Sequence, residues 1–88
     1  MSINWDEIAK QAGQLTDDQF HSQISSLTSL NDHEIENLMN GTGISKVDLT
    51  NVLREIKDAT KSNTDKANAI KNISKGLDVL VGLAAKFI

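Results

Sequence analysis

The chain has 88 residues, no Cys and no Pro, a net charge of −3, and an apolar fraction of 39% that includes one Trp, two Phe and no Tyr. That length makes it a single helical domain, 1–88, with a small core, which must be aliphatic. The absence of Cys removes disulfides, thiolate metal sites and thiol nucleophiles together.

The first predicted helix runs over about 5–14. Asn4 followed by Glu7 has the form of a capping box, Trp5, Ile8, Ala9 and Ala12 share a face, and Gly13 ends it. The second, 17–29, opens on Thr16 with Gln19 and sets Phe20, Ile24 and Leu27 at helical spacing. The third, 32–40, opens on Asn31 with Glu34, carries Ile35, Leu38 and Met39, and stops at Asn40-Gly41. After the turn Gly41-Thr42-Gly43, Ser45 caps a fourth helix over about 46–60 with Leu49, Val52, Leu53, Ile56 and Ala59 on its apolar face. Residues 61–64 read as a polar connection, and a last helix is expected from near Asp65 to the C-terminus, with Gly76 and Gly82 inside it. A break at Gly76 is left open. The expected fold is all-α, a small compact bundle of four to five short helices with the apolar C-terminal helix at its core.

That last helix carries the strongest pattern. Ile70, Ile73, Leu77, Leu80, Ala84 and Phe87 recur at spacings of three and four, and Val79, Val81, Leu83 and Ile88 widen the stripe to an arc of roughly 200°, beyond what a surface helix needs. Most of it is expected to serve as the domain's own core. The excess width around Val79, Leu83 and Phe87 is the candidate face for a protein partner or a second copy. The stripe covers fewer than three heptads, short of a coiled coil, and its apolar end is too short to span a bilayer. Its polar face is only weakly basic, which disfavours a membrane surface.

Charge is divided unevenly along the chain. Residues 1–44 hold seven acidic residues against Lys10, a net −6, and residues 45–88 hold eight basic against five acidic, a net +3. Acidic residues crowding helix N-termini explain much of the first half. Head-to-tail association of two oppositely charged faces is the alternative.

No catalytic, metal or cofactor constellation stands out. His21 and His33 are expected as exposed polar residues near helix starts. Asp17-Asp18 suits the first turn of a helix, and the Gly41–Gly43 turn lacks the spacing of a phosphate loop and the alternating ligands of a calcium loop. Gly43-Ile44-Ser45-Lys46-Val47-Asp48-Leu49-Thr50-Asn51-Val52-Leu53-Arg54 resembles the turn and second helix of the helix-turn-helix in lac-repressor-type regulators. Met39 stands where that family has a small Ala, Gly41 adds a second breaker, and Asp48 replaces a Thr. The resemblance implies a DNA-binding regulator with its motif at residues 35–54, in which Lys46, Thr50, Asn51 and Arg54 contact DNA and Lys57 and Lys61 lie near phosphates. An isoelectric point near 5.2 opposes it, since duplex binding depends on neutralising phosphates.

The expectation adopted is a cytoplasmic, non-enzymatic protein-interaction or accessory domain that acts through helix packing, with no cofactor, metal or small-molecule substrate. Its partner is an unknown protein or a second copy. Helix-turn-helix DNA binding is the alternative.

Overall fold

Six α-helices follow one another in a computed structural model that describes residues 4–28 and 30–87: α1 Trp5–Ala12, α2 Asp17–Leu27, α3 Asp32–Thr42, α4 Lys46–Lys57, α5 Asn63–Lys71 and α6 Gly76–Phe87. No strand occurs among the described residues. Ser29, the expected last residue of α2, and Ile88, the expected last residue of the chain's final helix, lie outside them.

The helix starts follow from local chemistry. Thr16 and Asn31 each accept the backbone N–H three residues on, from Gln19 and Glu34, whose side chains accept the cap's own N–H in return. Asn4 and Ser45 make the forward bond alone, to Glu7 and Asp48. Ser62 does the same with Asp65, so α5 begins at Asn63 inside the stretch expected as a connection. Each such bond satisfies an N–H that the first turn would otherwise leave unpaired.

The helix ends use two devices. Thr28 donates its hydroxyl to Ile24 O and accepts from Leu30 N, and Thr42 repeats this with Leu38 O and Ile44 N. The second is Gly43, left-handed at φ 74°, which donates its N–H to Met39 O at 2.8 Å. The αL cap therefore lies at Gly43, and α3 runs two residues past the expected Asn40. Helix α4 stops at Lys57 rather than Thr60. Asp58 takes up the Thr60 N–H and hydroxyl in a side-chain turn, and Ala59, expected on the apolar face, is exposed.

The expected last helix is two helices. Asn72, Ile73 and Gly76 donate to carbonyls three residues back, Lys75 adopts φ 65°, and α6 restarts at Gly76. A Cβ at Gly76 would collide with the Ile70 carbonyl oxygen, so the turn closes only over a glycine.

The core is a cluster built from all six helices, including Trp5, Ala12, Phe20, Ile24, Ile35, Leu49, Val52, Leu53, Ile70, Val79 and Leu83. Helix α4 holds its centre. It packs on α1, α5 and α6, while α2 lies on α3, and α6 bridges α3, α4 and α5. The C-terminal helix thus shares the core through Val79 and Leu83 rather than forming its axis. The radius of gyration, 12.0 Å, is what a compact chain of this length should have, about 12 Å.

Candidate functional site

The residues assigned to DNA by the helix-turn-helix resemblance do not reach a common free surface. Lys46, Thr50 and Arg54 lie along one stripe of α4, and α1 with the turn after it lies over that stripe. Lys46 Nζ donates to Leu15 O and pairs with Asp17, each at 2.8 Å. Thr50 is fully buried, its hydroxyl donated to Lys46 O at 2.9 Å. The Arg54 guanidinium donates to Asp6 Oδ1 at 2.7 Å and lies 3.5 Å from Glu55. Asn51 is half-buried. A recognition helix must enter a groove along its exposed length, and the first helix of the motif must cross it. Here the main packing partners of α3 are α2 and α6, and α4 is the most enclosed element. Lys57 is exposed, whereas Lys61 pairs with Glu55.

Glu55 is the only acidic side chain buried among the described residues. Its two oxygens are divided between Arg54 and Lys61. The bond that Lys61 donates to Glu55 holds the ammonium above its ordinary pKa. The bond from Lys46 likewise holds the Asp17 carboxyl below the usual carboxylate range. These pairs tie α2 and the loop after α4 to α4.

The two histidines lie apart in environment. His33 is exposed, but His21, also expected at the surface, is buried edge-on to Phe20 with ring centres 6.4 Å apart. The cause is the packing of α2 on α3, which turns the Phe20–Ile24 side of α2 inward and takes His21 with it. Asp17, Asp18, His21, Glu36, Met39 and Asn40 line a shallow depression of about 230 Å³ between those helices. Among the described residues no group of three or more His, Asp and Glu could hold a metal ion. Leu30, Glu34, Asn37, Leu38, Gly82 and Leu83 line a cleft of about 210 Å³ between α3 and α6.

The candidate partner face on the last helix needs correction. Val79 and Leu83 are 0% and 1% exposed, so they are spent inside the core. The side chain of Phe87 lies outside the described residues. What α6 turns outward instead is Leu77, 47% exposed, and Val81, 72% exposed, four residues apart on one face. Leu77 belonged to the expected inner stripe and Val79 and Leu83 to its margin. The break at 72–75 rotates α6 relative to α5, and this exchange of inside and outside follows from it. The only other large apolar side chain so exposed among the described residues is Val47, at 37%.

No family model, curated protein or solved structure matches the chain. No helix among the described residues is long and apolar enough to cross a membrane.

Proposed function

We propose that the protein is a non-enzymatic, cytoplasmic interaction domain that receives an apolar helix of a partner protein on the outward face of α6, anchored at Leu77 and Val81. The observation that carries this is the pair itself. Among the described residues these two are the most exposed of the large aliphatic side chains, ahead of Val47, and they stand one turn apart on a helix whose other side buries Val79 and Leu83. Fully burying a Leu or Val is worth about 1.5–3 kcal/mol, so the exposed fractions of this pair supply roughly 2–3 kcal/mol. A micromolar complex needs about 8 kcal/mol. Leu77 and Val81 therefore act as the centre of a larger contact, flanked by polar side chains of the same helix such as Asp78.

The chemistry-bearing side chains support a role without catalysis. His21, Glu55, Lys46 and Arg54 are engaged in packing or ion pairs within the fold. The test is affinity capture from the native host with the wild-type chain and with Val81→Lys. A partner retained by the first and lost by the second is the expected result, and a partner set indifferent to Val81→Lys refutes the assignment.

A further inference from the structure

The turn between α5 and α6 sets sequence and structure in opposition. Ile70, Ile73, Leu77, Leu80, Ala84 and Phe87 keep the spacing of one continuous helix across it, and Asn72-Ile73-Ser74-Lys75 contains neither Pro nor Gly, the glycine over which the turn closes being Gly76. The chain nevertheless breaks there, at a cost that is visible locally. Lys75 is the only non-glycine residue with positive φ among the described residues, a conformation disfavoured by its Cβ. The bonds from Asn72, Ile73 and Gly76 are of the tight i to i+3 kind, with poorer geometry than α-helical ones.

We propose that this turn is a hinge, and that the chain dimerises with a second copy of itself by straightening residues 72–75 and seating its α6 against α3 and α4 of that copy, in the place that copy's own α6 vacates. A second copy fits because it alone offers the surface that α6 already matches. Val79 and Leu83 pack there against α3 and α4, and Gly82 lies so close to Leu38 that a Cβ would come within 2.7 Å of its Cδ1. A helix from Asn63 to Phe87 is 25 residues, about 37 Å long at 1.5 Å per residue, against a longest extent of 33 Å for the closed molecule. Straightened, α6 reaches past its own body, and the place it vacates is left open for the partner's α6. The exchange keeps the α6 contacts, removes the strain at Lys75, and gives up the contact of Gly76 with Ile70. Association entropy opposes it, so it is a matter of concentration. It stands on the hinge and not on the outward face of α6, where Val81 plays no part in the exchange.

The test uses Gly76→Ala, whose Cβ meets the Ile70 carbonyl oxygen in the closed turn, and Lys75→Val, which aggravates the left-handed residue at an exposed position without touching the core. Sedimentation up to about 200 micromolar is expected to show dimers at least roughly tenfold tighter than wild type for each. Should Gly76→Ala lose its helical circular dichroism, Lys75→Val decides alone. The chain has no Cys, so Leu38→Cys with Gly82→Cys, added to the dimeric variant, reports the exchange: a disulfide between chains is expected, and one within a chain overturns the proposal. Monomeric behaviour of the folded variants overturns it too. So does a dimer abolished by adding Val81→Lys, which would instead locate association on the outward face.

Discussion

Gly41→Ala and Gly43→Ala are expected to move stability in opposite directions although the two residues are separated only by Thr42. A Cβ at either position meets nothing within 4 Å, so neither substitution gains or loses packing. The difference lies in the backbone. Gly41 is inside the last turn of α3, where Ala is the better helix former by up to about 1 kcal/mol, reduced to about 0.5 at a helix end. Gly43 is left-handed at φ 74°, where Cβ costs about 1–2 kcal/mol, partly offset by the lower entropy of an unfolded chain with Ala, for a net loss near 1 kcal/mol. The variants should therefore differ by about 1.5 kcal/mol, or roughly 6–12 °C in Tm for a domain of this size. Urea unfolding with an unchanged m-value measures the difference directly. Equal shifts of the same sign, or a Gly43→Ala that is neutral, would refute the placement of the cap at Gly43.

Leu53→Ala, in the buried face of α4, should cost about 2–5 kcal/mol by denaturant unfolding, in keeping with α4 as the centre of the core; a loss below 1 kcal/mol would remove it from that position. Asp17→Asn should flatten the acid limb of stability. The Asp17 carboxyl is held low by Lys46 in the folded state, so its contribution is complete above the unfolded carboxylate pKa of about 3.9 and is lost as pH falls through that value toward the folded one. Tm measured from pH 6 down to 2 should fall less steeply in the variant, and parallel curves would show that the pair contributes nothing.

What was legible in the sequence was whatever closes within four residues. The caps at Asn4, Thr16, Asn31 and Ser45 depend only on a side chain and the N–H three residues later, and all four form. Ser62 with Asp65 has the same logic but was masked by a run of polar residues that looks like a loop. The break before α6 was legible only as one of two readings of Gly76, because Lys75 carries no mark of a left-handed residue. Gly76, which does carry one, is needed for its closeness to Ile70 rather than for its φ. Everything about the candidate face depended on that break. Periodicity defines which residues share a stripe, but the rotation of α6 about its axis is set by the turn before it, and that rotation decides that Val79 goes in and Val81 stays out.

The uneven charge along the chain has a use inside the molecule. Asp17 pairs with Lys46, and Asp6 with Arg54, each joining the acidic first half to the basic second half. Both acidic partners are largely exposed, at 78% and 71%, so these pairs contribute little to stability. What they supply is register. Lys46 and Arg54 stand about two turns apart on α4, and their partners are Asp17 at the start of α2 and Asp6 in the first turn of α1, so the pairs hold α1 and the turn after it along α4 in one direction. Reversing α1 would set Asp6 beside the Lys46 end and leave Arg54 without Asp6. The same two cations that the helix-turn-helix resemblance would offer to phosphates are thereby occupied by carboxylates of their own chain. A polyanion could claim them only by displacing α1, which would uncover Trp5 and Ala12 along with the buried face of α4.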